Sequence, residues 1–221
     1  MALTNDMSTS MTVMTPTTTP VPATRTPIDW RGGLPVLSGE LVTLRELRAS
    51  DAKDLLASLG TAEVTRLISP PPPTVDGFEK FIAWTLRQRA EGKSFAFGVT
   101  LKGTDTVIGL FQVRSLTSRF DIAEWGFALG SDFWGTGIFM DAARLVLDFS
   151  FDTIGVRRME AKAAVKNGRG NGALQKLGGV QEAILRRSFL RNGVYLDQAY
   201  WTIMADVWRQ IRAVRTARVV H

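Results

Sequence analysis

Residues 122–138 read IAEWGFALGSDFWGTGI, and this segment is the most informative part of the sequence. Its first half, Ile122–Leu129, is a run of mainly apolar and aromatic residues that is typical of a strand. A short loop follows with two glycines one residue apart, Gly135 and Gly137. The apolar spacing after the loop predicts a long amphipathic helix from about Gly137 to Thr153. A strand, a glycine loop and a helix therefore follow one another directly.

The glycine loop has the properties of an anion-binding site. The first N–H groups of a helix have no partner within the helix, and the positive end of the helix dipole lies behind them. Glycine lets a phosphate group approach this backbone, because a Cβ would stand in the way. Two other phosphate-binding motifs do not fit. Met140 stands where a dinucleotide-binding fingerprint needs its third glycine, and the loop lacks the Gly-Lys-Ser/Thr ending of a Walker loop.

The hydrophobic pattern outside this stretch predicts a mixed order of strands and helices. Before the loop it predicts strands over Leu41–Leu47, Phe95–Leu101 and Val107–Arg114 and helices over Ala52–Leu59, Ala62–Ile68 and Val75–Arg89. After the long helix it predicts a strand over Met159–Val165, a helix over Arg169–Leu177, a hairpin of Ile184–Leu190 and Tyr195–Ile203 around Asn192-Gly193, and a basic helix from about Ala205. This order indicates an α+β fold with a mostly antiparallel sheet flanked by helices.

The chain has 221 residues and is 45% hydrophobic, which suits one domain with a sizeable core. We expect that domain to span residues 28–209, after a disordered Thr/Pro-rich arm at residues 1–27. Residues 210–221 are expected to form a basic tail, in which every third residue from Arg209 to Arg218 is an arginine. A solvated tail is the simpler interpretation, and contact with RNA or a ribosomal surface is the other. The net charge of +6 favours a polyanionic ligand, either a phosphate-rich cofactor or nucleic acid.

Composition excludes several classes of site. The chain has no cysteine, so a disulfide framework, a thiolate nucleophile and a thiol metal site are ruled out. We expect no bound metal. No apolar run approaches the ~18 residues that a membrane span needs, and residues 1–10 do not resemble a signal peptide. The sequence therefore predicts a cytoplasmic protein without a membrane contact, and a homodimer remains open.

Three segments together resemble a known family. AEWGFA at Ala123–Ala128, followed by FWGTG at Phe133–Gly137, is similar to the fourth strand and cofactor loop of the GNAT acetyltransferases. The similarity is strongest to the branch of the RimJ/RimL-type ribosomal-protein N-terminal acetyltransferases. Asn167–Gly178, which ends in ALQKLG, and Leu44–Ala52 resemble two further segments of that branch. The resemblance covers nearly all of the chain after the arm.

The resemblance implies a GNAT fold whose sheet splays between the fourth and fifth predicted strands, with acetyl-CoA in the cleft. Asn167 would reach the pantetheine arm from one side of that cleft. The backbone of Phe127, Ala128 and Leu129 would pair with the arm from the other side. The diphosphate would be held by the loop of Trp134, Gly135, Thr136, Gly137 and Ile138.

The resemblance also suggests a general base. Glu124 matches the glutamate that histone-type GNAT enzymes use, and it would act through a water. The alternative is a glutamate on the sheet surface that pairs with an arginine. The Leu129 N–H would stabilise the oxyanion formed by attack on the thioester. Asp141 and Glu160 are expected to be surface or ion-pair residues.

The sequence departs from the family pattern at several positions. Phe139 brings unusual bulk next to the cofactor loop, and we interpret it as a core residue turned inward. Leu174, Gly170 and Phe189 stand where relatives carry a reactive Tyr, Ser or Glu. The group that protonates the CoA thiolate is therefore open, with the candidates Ser188, Tyr195 and solvent.

The sequence favours an enzyme that transfers an acetyl group from acetyl-CoA to a primary amine by direct attack on the thioester. The acceptor would be a protein N-terminal α-amine or a small-molecule amine, because an ordinary α-amine with a pKa near ~7.8 is far more often neutral than a lysine near ~10.4. Residues 68–81, with their four prolines, are expected to line the acceptor side. A non-catalytic acyl-CoA-binding protein of the same fold is the alternative, and an RNA-associated module is a weaker one.

Overall fold

The computed structural model describes residues 29–219, so the arm at residues 1–27 and His221 lie outside the described residues. Eight strands form one sheet: β1 (Leu37–Ser38), β2 (Val42–Glu46), β3 (Ser94–Leu101), β4 (Val107–Ser115), β5 (Ile122–Leu129), β6 (Arg158–Ala164), β7 (Val180–Arg191) and β8 (Val194–Met204). Their order across the sheet is β1-β2-β3-β4-β5-β6-β8-β7. The short strand β1 was not predicted.

Within residues 29–219, six α-helices flank the sheet: α1 (Ala52–Leu59), α2 (Ala62–Thr65), α3 (Val75–Ala90), α4 (Ile138–Asp148), α5 (Gly168–Lys176) and α6 (Ala205–Val219). A π-helical turn, Phe149–Ile154, continues α4 over the rest of its predicted length. The prediction that α2 reaches Ile68 is wrong. The helix ends at Thr65, because Leu67 and Ile68 leave it to line a cavity ahead of the prolines.

The sheet has a hydrophobic core on each face. On one face α4 buries its small and branched side chains, such as Ala142 and Val146, together with aromatic residues of β3 and β4. On the other face α1 and α3 bury Leu55, Phe78 and Ile82. The predicted α+β architecture of a mixed, mostly antiparallel sheet flanked by helices is confirmed.

The sheet splays between β5 and β6. These two strands are parallel, and their register pairs only Ile122 with Arg158, Ala123 with Met159 and Glu124 with Glu160. Beyond Glu124 the strands diverge, while β5 stays paired with β4 as far as Leu129. This confirms the predicted splay between the fourth and fifth predicted strands, which are β5 and β6.

The last two strands form the predicted hairpin around Asn192-Gly193. Both turn residues have positive φ angles, 49° for Asn192 and 74° for Gly193. Such a turn matches the right-handed twist of the flanking strands, and asparagine and glycine are the residues that adopt it most readily. The hairpin places Phe189, on β7, and Gln198, on β8, beside the cleft.

The C-terminal helix α6 is packed against the domain. The Trp208 side chain is buried, and its indole Nε1 donates to Asp148 Oδ1 at 2.8 Å. Arg212 donates to Asp148 at 2.7 Å and to Asp152 at 2.6 Å, and Arg209 Nε donates to Asp152 at 3.0 Å. The helix therefore continues across the boundary predicted at Arg209, because these arginines face acidic residues at the end of α4 and in the turn after it. Ribosome or RNA contact by the remaining basic residues stays a prediction.

The α6 contacts predict a dependence of stability on pH. Burial raises the pKa of Asp152, but hydrogen bonds and charges from Arg212 and Arg209 outweigh it and hold the pKa below its usual value. Because this pKa is lower in the folded protein, ionised Asp152 contributes to the free energy of unfolding above its pKa in the unfolded chain, near ~3.9. The contribution is lost as the pH falls through its pKa in the folded protein. We expect Asp152→Asn to lower the free energy of unfolding by about 1 kcal/mol or less at pH 7, and by a smaller amount near pH 3, where part of the contribution is lost. Urea denaturation at both pH values measures this difference, and an equal loss at both would contradict it.

A buried ion pair connects β2 to the turn before α1. Arg45 donates to both carboxylate oxygens of Asp51, at 2.8 and 2.9 Å, and both residues are buried. Asp51→Ala removes both of these hydrogen bonds and leaves the buried Arg45 guanidinium with the exposed carboxylate of Asp105, 2.6 Å from its Nε, so we expect the variant to lower the free energy of unfolding by about 2 kcal/mol. Asp76→Ala, which breaks the exposed Asp76–Lys80 pair on α3, is the control and should lower it by less than about 1 kcal/mol. Equal losses in urea denaturation would refute the difference.

Candidate active site

The backbone of β5 offers hydrogen-bonding groups to the cleft beside it. The Gly130 N–H donates to Ile108 O at 2.9 Å, and the Leu116 N–H donates to Ile122 O at 2.8 Å. In this antiparallel register the even-numbered residues of β5 bond to β4, so the odd-numbered residues point their backbone to the other side. The groups that face the cleft therefore belong to Trp125, Phe127 and Leu129.

The register gives different results for the three residues whose backbone was predicted to contact the ligand. Phe127 and Leu129 face the cleft, as the pairing with a ligand would require. The prediction for Ala128 is not supported, because its backbone belongs to the ladder with Leu110 of β4, and it reaches the cavity as a lining residue instead. The Leu129 carbonyl accepts a hydrogen bond from Trp134 Nε1 at 2.8 Å, so its N–H is the group that points to the cleft.

The glycine loop opens the N-terminus of α4. Gly135 and Gly137 have φ angles of 78° and 89°, a left-handed conformation that favours glycine. Gly137 caps the helix, and its carbonyl accepts the Asp141 N–H at 3.1 Å. The N–H groups of residues 138–140 come before this first intrahelical bond and lie at the open end of the helix. A Cβ on Gly135 would meet no atom within 4 Å, so the approach to these groups is open and fits a diphosphate.

Aromatic side chains support the loop from behind. The hydrogen bond of the Trp134 indole joins the start of the loop to the end of β5. The ring of Phe139 lies 4.7 Å from that of Phe127 and 5.5 Å from that of Phe111, measured between centroids. Phe139 is thus turned into the core, as expected, and does not fill the mouth of the loop. The Thr136 hydroxyl donates within the loop, to Phe133 O at 2.7 Å.

The N-terminus of α5 forms the opposite side of the cleft. Asn167 caps the helix, with Oδ1 accepting the Gly170 N–H at 2.9 Å, and it lines the cavity. The Arg169 guanidinium lies 4.5 Å from the centre of the Trp134 ring, so the two sides of the cleft come together there. Asn171 Nδ2 donates to Ala164 O at 2.9 Å, which fixes α5 against the end of β6. Arg169 and Asn171 were not predicted.

A cavity of about 920 Å³ lies where the strands splay, on the α3 side of the sheet. Most of its wall is apolar, and it includes the segment predicted to line the acceptor side. Gly170 and Phe189, two of the positions at which the sequence departs from the family pattern, lie in this wall. The residues of the wall include Leu59, Leu67, Ile68, Pro70, Pro71, Pro72, Pro73, Phe78, Phe81, Leu110, Gln112, Gly126, Lys162 and Gln198.

Glu124 lies in the wall of this cavity and is held by two cations. It forms an ion pair with Arg114 on β4, and Lys162 Nζ lies 3.4 Å from its Oε1. Its side chain is only 19% exposed. The pairing with an arginine that the alternative interpretation predicts is present, and the residue also faces the cavity; its role as a general base stays a prediction. The sequence did not indicate Lys162, although its spacing from Glu160 on β6 puts both on one face.

Other candidate residues have structural contacts. The Asp141 carboxylate accepts the N–H groups of Leu41 and Val42 at 2.8 and 3.1 Å. Glu160 pairs with Arg158 at 2.9 Å, as expected for an ion-pair residue.

The two side-chain candidates for the thiolate acid lie on the hairpin of β7 and β8, and the Ser188 hydroxyl also lies 3.1 Å from Oε1 of Gln198, a residue of the cavity wall. Ser188 donates to Leu185 O on its own strand, and Tyr195 is 62% exposed near the hairpin turn. Neither is part of the cavity wall. Of the three candidates for the acid, solvent is therefore the one that the geometry favours.

The described part of the chain, residues 29–219, lacks two further features. It contains no group of three or more His, Cys, Asp or Glu side chains that could hold a metal ion. None of its helices has both the length and the apolar character to cross a bilayer.

A family model described as "Acetyltransferase (GNAT) domain" matches residues 42–180, more than half of the chain. The chain belongs to the GNAT acetyltransferase family. The matched residues run from β2 to the start of β7 and include the cleft, the glycine loop and Glu124. The predicted family and the assignment as an N-acetyltransferase are confirmed.

Relatives of this GNAT protein agree with the RimJ/RimL-like branch. "Uncharacterized N-acetyltransferase p20" of Bacillus licheniformis is 28% identical, over 75% of this chain and 93% of its own length. "Putative ribosomal N-acetyltransferase YdaF" of Bacillus subtilis is 26% identical, over 76% of this chain and 94% of its own length. The structure of Mycobacterium smegmatis RimJ in complex with CoA-disulfide matches with a TM-score of 0.71 at 20% identity, over 77% of this chain and 87% of RimJ. That likeness supports the fold.

Proposed function

We propose that this GNAT protein binds acetyl-CoA in the cleft between β5 and β6 and transfers the acetyl group to a primary amine that enters through the cavity. The end of the β5–β6 pairing at Glu124 and Glu160 carries this proposal. Beyond this point the cleft-facing edge of β5 is unpaired. The glycine loop lies at one end of this edge, and the carboxylate of Glu124 lies in the cavity at the other end.

The cofactor would lie along β5 like an added strand. Its diphosphate would accept hydrogen bonds from the N–H groups at the start of α4, where the dipole and the open approach at Gly135 favour an anion. The cleft-facing backbone groups of Leu129 and Phe127 would bond to the pantetheine arm. Asn167, at the start of α5, would contact the arm from the other side of the cleft.

Glu124 would act as the general base. It would remove the proton of the attacking amine through a water, and its ion pairs with Arg114 and Lys162 hold its carboxylate in place. Attack on the thioester carbon would generate an oxyanion, which a cleft-facing N–H would stabilise. Leu129, the predicted donor, is five residues from Glu124, or about 17 Å along a strand that rises ~3.4 Å per residue. The Phe127 N–H, about 10 Å away on the same scale, is better placed to act together with this base.

The acceptor would be a protein N-terminal α-amine or a small-molecule amine. The ribosomal and RimJ names among the relatives support the first class. The apolar cavity, walled by residues 67–73 and the aromatic residues of α3, supports an amine that carries an apolar group. An assay of CoA release with acetyl-CoA and a panel of N-terminal peptides, small amines and polyamines tests the proposal. The expected result is turnover of at least one amine.

A non-catalytic acyl-CoA-binding protein is the second candidate. Phe189 and Gly170 favour it, because both lie in the cavity wall where relatives carry reactive side chains. It predicts CoA binding by calorimetry without turnover of any amine in the panel, whereas the proposed enzyme shows both.

The proposed diphosphate site predicts a specific effect of one loop glycine. Gly135→Ala is expected to raise the Kd for CoA at least about tenfold, or by 1.4 kcal/mol, because the methyl group would stand where the diphosphate approaches. Gly155→Ala is the matched control. Gly155 has a similar φ angle of 91° and the same open space around its Cα, but it lies after the far end of α4. Both variants should lose about 1 kcal/mol of stability from backbone strain. Equal CoA affinities of the two variants in calorimetry would contradict the site.

A further inference from the structure

Lys162 crosses the cleft at the point where it begins to open. It lies two residues beyond Glu160, the last residue of β6 that is paired with β5, and its side chain is on the same face of the sheet as those of Glu160 and Glu124. Its Nζ lies 3.4 Å from Glu124 Oε1 on the other strand. Both residues line the acceptor cavity, so an amine of the protein itself lies beside the proposed base.

We propose that Lys162 is an acetylation site of the protein itself. With acetyl-CoA in the cleft and no acceptor in the cavity, the Lys162 amine takes the acetyl group. The inference rests on the proposed function, because the thioester must lie at the closed end of the cleft and Glu124 must act as the base.

The transfer follows the chemistry proposed for an external amine. The Lys162 nitrogen loses a proton directly to Glu124, whose Oε1 lies 3.4 Å from Nζ, and then attacks the thioester carbonyl carbon. A C–N bond forms and the C–S bond breaks. CoA leaves as a thiolate and takes a proton from solvent, while the nitrogen loses its remaining extra proton to solvent. The products are N-acetyl-Lys162 and free CoA, and no other reactant is needed.

Position distinguishes Lys162 from the neighbouring lysine. Lys166 is exposed, lies beyond the end of β6 and does not line the cavity. An amine held beside the base and the thioester reacts within one complex, whereas Lys166 must meet acetyl-CoA from solution. Such intramolecular reactions correspond to effective molarities of about 10⁵ M or more when the geometry is good. Even imperfect geometry should therefore make Lys162 react faster.

The test is incubation of the full-length protein with acetyl-CoA and no acceptor, followed over time by peptide mass spectrometry. Acetylation of Lys162 is expected to approach one group per chain, at a rate at least about tenfold above that of Lys166. Glu124→Gln should slow it about 100-fold. An excess of CoA, which occupies the cleft without an acetyl group, should suppress it. Lys162→Arg should lose the modification, whereas Lys166→Arg should leave Lys162 acetylation at the wild-type rate.

The inference is overturned if Lys162 stays unmodified, if it reacts no faster than Lys166, or if excess CoA has no effect. The amine panel is run in parallel to separate this from the proposed function. Turnover of a panel amine without Lys162 acetylation would contradict this inference and leave the proposed function intact. Absence of CoA binding in calorimetry sinks both. Thermal unfolding and CoA affinity of Lys162→Arg verify that the variant is folded.

Discussion

Glu124→Gln is expected to lower kcat by about 100- to 10,000-fold, the range typical for loss of a general base. Glutamine keeps the size of the side chain and can still accept a hydrogen bond from Arg114, but it cannot take a proton from the amine. The affinity for CoA should stay near the wild-type value, because the contacts proposed for the diphosphate and the pantetheine arm lie further along β5. Steady-state kinetics with saturating acetyl-CoA and the best amine of the panel measure the effect.

Glu160→Gln is the matched control for this change. Glu160 is the register partner of Glu124 on β6, is also paired with an arginine and is also mostly buried, but it is not in the cavity wall. Its replacement should leave kcat near the wild-type value. Equal turnover by Glu124→Gln and the wild type would remove Glu124 from the mechanism, and an equal loss in both variants would point to a general effect of charge on the sheet.

A graded series at Gly126 is expected to block transfer without unfolding the protein. Gly126 lies in β5 between Glu124 and Ala128, lines the cavity and has no atom within 4 Å of the position of a Cβ. Substitution by Ala, Val and Leu should therefore change the free energy of unfolding by less than about 1 kcal/mol. If the amine and the thioester meet at this point, each larger side chain should push them further apart. A displacement of about 1 Å can lower the rate 100-fold, so the Leu variant should lose at least that much in kcat/KM.

Gly33→Leu is the control for the Gly126 series. Gly33 also has no atom within 4 Å of a Cβ, and it lies outside the cavity wall. It should retain wild-type kcat/KM. The proposal that the reaction occurs in this cavity fails if Gly126→Leu is folded, binds CoA and turns over the amine at the wild-type rate.

The features that were predicted best from the sequence are turns, loops and helix ends, which depend on a few neighbouring residues. The Asn192-Gly193 turn and the Gly135–Gly137 loop need backbone conformations that few residues adopt, so residue type alone points to them. Helix α3 has apolar residues at helical spacing after a Thr74 cap, and its predicted start at Val75 is confirmed. The splay of the sheet was predicted in another way. It was inferred from the family resemblance and not from any local residue pattern.

Contacts between distant segments were not predictable in this way. Lys162 reaches Glu124 only because three residue pairs of parallel register join β5 to β6 before the strands diverge. The packing of α6 depends on acidic residues about 60 positions earlier in the chain, at Asp148 and Asp152. The backbone groups of Ala128 point away from the cleft because the even-numbered residues of β5 direct their backbone toward β4. A one-residue change of register would reverse that result, and the register depends on how both faces of the sheet pack, which local residue spacing alone does not reveal.

The carboxylate of Asp141 restricts the movement of the glycine loop before a ligand binds. It fastens the first turn of α4 to the start of β2 through two backbone amides, while the Trp134 indole fastens the other end of the loop to β5. Only the few residues between these two anchors have room to rearrange. The proposed diphosphate site is therefore preformed, and little chain entropy would be lost when a ligand occupies it. Association should accordingly be a single fast step without a slow isomerisation of the protein.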